Sequence, residues 1–154
     1  MEQKEHKKPF IIRLDGKNIT YIIRISETGH VENLYCGRKL TEDPILDGLY
    51  KKKVVPLRGE VSYDEKAKLT YLETMALEVS TLWKGDFRSP SIIAQYSING
   101  HNNLSTLDFV YESHSIKRGK DDNYQSLPLS YGSEEEVTTL VLNLKDRELP
   151  IGLK

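Results

Sequence analysis

Cysteine is nearly absent: Cys36 is the only one in 154 residues. No internal disulfide can form, and a reducing, cytoplasmic setting is favoured. Long hydrophobic runs are missing as well. The opening MEQKEHKKPF is polar and Lys-rich, with no apolar stretch of signal-peptide length, and nothing downstream approaches the ~20 residues of a membrane span. The sequence therefore predicts neither export nor a membrane partner. Nor is there an excess of one charge: 22 Lys and Arg stand against 23 Asp and Glu, a formal net charge of −1. That removes the electrostatic reason to expect nucleic acid. Short runs such as Lys51-Lys52-Lys53 are expected to be solvated faces.

The patterns that carry common chemistries are missing too. His6, His30, His101 and His114 are scattered, with no metal-ligand spacing, and one cysteine cannot complete a structural zinc site. His30 and His101 each follow a glycine and are expected at surface turns. No phosphate loop, dinucleotide glycine pattern or nucleophile elbow occurs, so no cofactor is implied. Adjacent acids occur at Asp64-Glu65, Asp121-Asp122 and Glu134-Glu135-Glu136. Neighbours on a strand point to opposite faces, and all three clusters lie in turn-like contexts. Solubilising charge explains them better than a catalytic pair.

What is present is strand character. Residues 10–14 and 19–25 are β-branched runs around Asp15-Gly16-Lys17-Asn18, a hairpin signal. Ile19, Tyr21, Ile23 and Ile25 alternate with Thr20, Ile22 and Arg24 and so place one apolar face on a core. A third strand is expected at 31–36. Between 37 and 90 the chain is broken by Pro44, Gly48, Pro56 and Gly59. Leu69, Leu72, Met75, Ala76 and Val79 have helical spacing, so 67–82 reads either as one helix or as a long ordered loop. Strand signals return at 91–98, followed by Asn99-Gly100, a strong hairpin turn. The returning strand is expected at 104–112, with Leu107, Phe109 and Tyr111 inward and 113–117 as an extension. Residues 137–144 (VTTLVLNL) form the last strand, with Leu140, Leu142 and Leu144 on one face. The composition and this pattern predict a mainly β fold, an antiparallel β-sandwich with a long irregular or partly helical middle loop. Ile19, Tyr21, Ile23, Leu140 and Leu142 are its expected core residues.

Trp83, the sole tryptophan, stands beside Lys84, Gly85, Asp86, Phe87 and Arg88. An aromatic ring among charged and amide groups suits stacking on the apolar face of a sugar. It equally suits core filling or the covering of a sheet edge.

Several segments in order resemble the N-terminal region of glycoside hydrolase family 36, the microbial α-galactosidases. They are Glu27-Thr28-Gly29-His30-Val31, Leu34-Tyr35-Cys36-Gly37-Arg38-Lys39-Leu40, Leu72-Glu73-Thr74, Gly85-Asp86-Phe87-Arg88-Ser89-Pro90, and the downstream set from Asn99-Gly100 through Asp146 to Gly152-Leu153. In place of the family's aromatic-Gly-x-Gly approach to Asp86, this chain has Leu82-Trp83-Lys84-Gly85. The resemblance implies part of a large β-supersandwich domain over 10–154, after a flexible terminus at 1–9, preceding a (β/α)₈ catalytic barrel. It also implies that this chain lacks the family's two catalytic aspartates and that the sandwich continues past Lys154. In the whole enzyme the substrates would be terminal α-galactosides such as melibiose and raffinose, cleaved in the cytoplasm by a homo-oligomer, a tetramer in full-length relatives. This region would support the barrel and assembly without catalysing, and Trp83 and Asp86 would be its substrate-binding residues. A free-standing carbohydrate-binding β-sandwich and a purely structural assembly module are the alternatives.

Overall fold

β-branched residues cluster in four stretches, and each becomes a strand or a strand pair. The computed structural model describes residues 8–42, 62–63, 70–82, 84–98, 101–120 and 132–154. Among these are eight strands and one 3-10 turn at Leu72–Thr74. Strands β1 (Phe10–Asp15), β2 (Ile19–Ile25) and β3 (Val31–Arg38) form an antiparallel meander. Strands β4 (Ala94–Ile98) and β5 (His101–Ser105) form a hairpin, and β6 (Phe109–Arg118), β7 (Thr138–Asp146) and β8 (Gly152–Leu153) form a third antiparallel sheet. No helix among the described residues is long and apolar enough to cross a membrane.

The core lies between the two three-stranded sheets. Register places Ile12 opposite Ile23 and Phe10 opposite Ile25 on one face of the first sheet. That face meets Leu107, Phe109 and Leu144 from the second sheet, with Val31 completing the buried cluster. The mainly β, sandwich-type architecture expected from the alternation is what the chain adopts. Ile23, at 1% exposure, is central to it, while Tyr21, Leu140 and Leu142 pack around the rim.

Four expectations need correction. Ile19 is 49% exposed: β1 ends with Asp15 opposite Thr20, so no neighbouring strand flanks Ile19 on that side. Residues 70–82 hold no helix beyond the 3-10 turn, because their backbone groups are drawn into β3. The Asn33 and Glu78 N–H groups bond to Ala76 and Val31 carbonyls at 2.8 and 3.0 Å, and Leu77 bridges Glu32. Tertiary pairing overrides helix propensity here. The strand expected at 104–112 is two strands in different sheets. Between them the Asp108 N–H turns to the Asp146 carboxylate at 2.6 Å and the Leu107 carbonyl accepts from Thr81 at 2.6 Å, so neither group serves a ladder. Finally, His30 is not a surface-turn residue; it is 4% exposed. The turn expected at 99–100, Lys51–53, and the acid pairs at 64–65 and 121–122 lie outside the described residues, although Ile98 pairing with His101 frames a two-residue connection.

Gly29 enables the turn into β3. Its φ is +86°, and an added Cβ would sit 3.1 Å from Val110 Cβ, so a side chain there would be both strained and crowded. Its carbonyl accepts the Tyr111 N–H at 2.8 Å, which stitches the first sheet to β6.

The burial pattern gives a direct test of the register. Ile23→Asp should abolish cooperative unfolding monitored by circular dichroism, since it places an unpaired carboxylate in the apolar cluster. Ile23→Ala should cost about 2–5 kcal/mol, and Ile19→Asp should stay within about 0.5 kcal/mol of the parent.

Candidate functional site

Two polar constructions stand out from the apolar core: a closed loop at 80–92 and a buried junction beneath its base.

The loop is closed by its own ends. The Ser80 N–H donates to Ser91 Oγ at 2.9 Å and the Ser91 N–H donates to Ser80 Oγ at 3.0 Å. Ser91 Oγ also donates to the Ser80 carbonyl at 3.0 Å, and Thr81 forms a parallel bridge with Ile92. A loop with joined ends and internal packing is an Ω-loop, a form that often carries function. Inside it, Gly85 turns at φ +87°, and Asp86 follows with 1% exposure. Arg88 grips this carboxylate through Nε at 2.8 Å and NH2 at 2.7 Å. Its backbone N–H adds a contact at 3.1 Å. The same guanidinium reaches back to the Met75 and Leu72 carbonyls at 2.8 and 2.9 Å. Arginine's planar fork suits such bidentate contacts. Arg88's hydrogen bond, helped by its backbone N–H and its charge, outweighs burial and holds the Asp86 carboxyl below its ordinary value. Between these two pinned residues Phe87 points outward, 70% exposed.

The junction is centred on Asp108. Its Oδ1 lies 3.0 Å from His30 Nε2, and its Oδ2 accepts the Tyr63 hydroxyl at 2.6 Å. Arg147 Nε stands 3.5 Å away, an electrostatic contact too long for a good hydrogen bond. His30 Nδ1 in turn lies 2.8 Å from Thr28 Oγ1. Arg147 also donates to the Thr28 carbonyl and sits over the Tyr63 ring, 5.6 Å from its centroid. Burial opposes ionisation of Asp108, but the His30 and Tyr63 hydrogen bonds and the charges of His30 and Arg147 prevail and lower its pKa. Thr28, His30 and Asp108 are in hydrogen-bonding sequence, yet each is under 5% exposed. The trio therefore reads as structural rather than nucleophilic, because no substrate reaches it. The junction continues to the loop: Thr81 bonds the residue before Asp108. Lys84 pairs at 2.7 Å with Glu148, whose N–H is held by Asp146.

Of the two sequence-predicted binding residues, Trp83 lies outside the described residues. Asp86 is in the loop, buried, with both oxygens turned to Arg88. The chain's acid cluster at 134–136 serves surface tethering: Glu134 accepts the Lys120 N–H at 2.8 Å, and Glu136 pairs with Lys17. Sequence reasoning missed the junction, whose members lie as far apart as 28 and 147, and the Ser80 and Ser91 closure.

Against known proteins, residues 29–154 match the family described as "Glycosyl hydrolase family 36 N-terminal domain". The chain is 30% identical over 141 residues to a probable α-galactosidase C of Aspergillus flavus, covering 91% of itself and 16% of that protein. It is 28% identical over 140 residues to α-galactosidase 2 of Pediococcus pentosaceus, with coverages of 90% and 18%. It thus spans less than a fifth of the curated relatives it matches. Among solved structures, a family 36 α-galactosidase from Geobacillus stearothermophilus shares the fold at TM-score 0.73 and 23% identity, covering 93% of this chain and 19% of that one. An α-galactosidase from Lactobacillus brevis does so at TM-score 0.69 and 21% identity, with coverages of 92% and 18%.

The lowered carboxyls set a pH dependence. Asp86 and Asp108 release their protons more readily folded than unfolded, where the ordinary value is 3.8. Their stabilisation is full above that value and disappears as pH falls through the folded values. Glu32 has the opposite sign. Burial lifts it above 4.5 despite Arg24 and His30, so its contribution is full below 4.5 and fades as pH rises. The two aspartates should dominate: urea midpoints should fall between about pH 5 and 3, and Asp108→Asn should flatten that acid slope. Asp108→Ala should cost about 3–5 kcal/mol at neutral pH, because it strands His30 and Arg147.

Proposed function

Since this chain belongs to the family 36 glycosyl hydrolase N-terminal domains, we propose that it is the non-catalytic β domain of a cytoplasmic α-galactosidase. The observation that carries this reading is the match over 29–154 together with α-galactosidase relatives aligned across nine-tenths of the chain. In this reading residues 10–154 are the folded part of the domain and 1–9 a flexible lead. The domain supports a catalytic barrel supplied by further polypeptide and contributes to a homo-oligomer. The substrates of the assembled enzyme are terminal α-galactosides; a solved relative of the same fold was captured in complex with raffinose. The 80–92 loop is the part of the domain that faces the sugar, with Trp83 as a stacking ring and Asp86 serving the site from beneath by holding the loop.

Glycoside hydrolysis needs two carboxyl groups flanking the scissile bond, one kept protonated and one ionised. Nothing around Asp86 provides that pair: its carboxyl is lowered and committed to Arg88. The purified chain should therefore release no nitrophenol from 4-nitrophenyl α-galactoside above a no-protein blank. Turnover that co-purifies with the chain and disappears in Asp86→Asn would overturn the non-catalytic assignment.

A further inference from the structure

An exposed phenylalanine is costly to maintain unless something uses it, and Phe87 is held outward by design of the loop around it. Neighbouring residues Asp86 and Arg88 are locked into the same inward clasp, and Arg88 is tethered to the carbonyls of residues 72 and 75. The loop's ends are closed by Ser80 and Ser91. The inward space is thus filled by the clasp, and Phe87 remains 70% exposed. A ring fixed in place before binding loses little conformational freedom on contact.

We propose that Phe87 is a stacking platform for the apolar face of an α-galactopyranoside, and that Asp86 and Arg88 are positioning residues that do not touch the sugar. This rests on the reading that the loop faces the galactoside. Three observations support it. Both Asp86 oxygens already accept hydrogen bonds from Arg88, so the carboxylate is committed to the loop and not to a sugar hydroxyl. The Lys84 and Glu148 ion pair at 2.7 Å anchors the loop on the side where Glu148 is 66% exposed. That leaves polar groups near the ring's end of the loop for hydroxyl contacts. The third is chemical: the axial 4-hydroxyl of galactose gathers the C3, C4 and C5 hydrogens on one face. This gives a broader apolar patch than glucose offers to an aromatic ring, and a bare phenyl ring recognises only such a patch.

The test uses the 154-residue chain and two probes, methyl α-galactoside and methyl α-glucoside, titrated while Phe87 ring and loop amide resonances are followed by NMR. The galactoside should give saturable shifts at Phe87 and across 80–92, and the glucoside should bind about tenfold more weakly or not at all. Phe87→Ala should weaken the galactoside by about tenfold, and Phe87→Trp should restore it. Both variants should melt with the parent, since the side chain is exposed. Undiminished galactoside binding in Phe87→Ala would overturn the platform while leaving the loop as a sugar-facing element. Absence of saturable shifts with either sugar in the parent would overturn both. A Phe87→Ala variant that loses only self-association would assign the ring to a contact between copies and overturn the sugar proposal.

Discussion

A buried carboxylate, Asp108, is the point on which the arrangement of the two sheets depends. Removing an ion from water costs several kcal/mol even after relaxation, so it persists only with near-complete hydrogen bonding. Asp108 meets that condition by drawing on every part of the chain around it. His30 comes from the turn between β2 and β3, Tyr63 from the middle segment, and Arg147 from the end of β7. Its own N–H is held by Asp146. The apolar cluster of Ile12, Ile23, Ile25, Val31, Leu107, Phe109 and Leu144 supplies the driving force for collapse, but apolar contact is indifferent to small sliding. The junction is directional. It fixes where β6 begins and how the two sheets sit on one another.

That placement extends to the candidate site. Leu107, the neighbour of Asp108, is bonded by Thr81 at the base of the Ω-loop. Asp146, which holds the Asp108 N–H, also holds Glu148, the partner of Lys84 within the loop. The loop thus leaves the sandwich at an anchored base and is stiffened internally by Asp86 and Arg88. A support domain that presents one rigid loop to a neighbouring catalytic element needs those two properties, a fixed base and a fixed tip.

The sequence made the sheets legible and the polar links invisible. Period-two alternation in residues 19–25 and the loop at 15–18 were enough to place β1 and β2, because a sheet with one buried face writes itself into the pattern. The ends of the pattern were less reliable. Ile19 fits the alternation and is nonetheless exposed, since alternation says which face a residue occupies and not how far the opposing sheet extends. Leu72, Met75 and Val79 have helical spacing, yet the segment is extended, because hydrogen bonds to Val31 and Asn33 offered its backbone a better partner. His30 resembled a turn residue beside Gly29, and only its partner 78 positions away explains its burial. The same limit applies to the site. The order of residues 85–90 carried the family resemblance, but that Asp86 turns inward and Phe87 outward is decided by Arg88 reaching carbonyls at 72 and 75. No local pattern encodes that reach.

Native-state amide hydrogen exchange, read residue by residue, addresses the central claim most directly. If the Asp108 junction joins the sheets and anchors the loop, the amides of Asp108, Tyr111, Ser80 and Ser91 exchange only through the same global opening as Ile23. In Asp108→Asn those four lose protection together while Ile23 retains more of its own. Rapid exchange at Asp108 and Tyr111 in the parent, with Ile23 fully protected, would show that the sheets are held by apolar contact alone and would contradict the account.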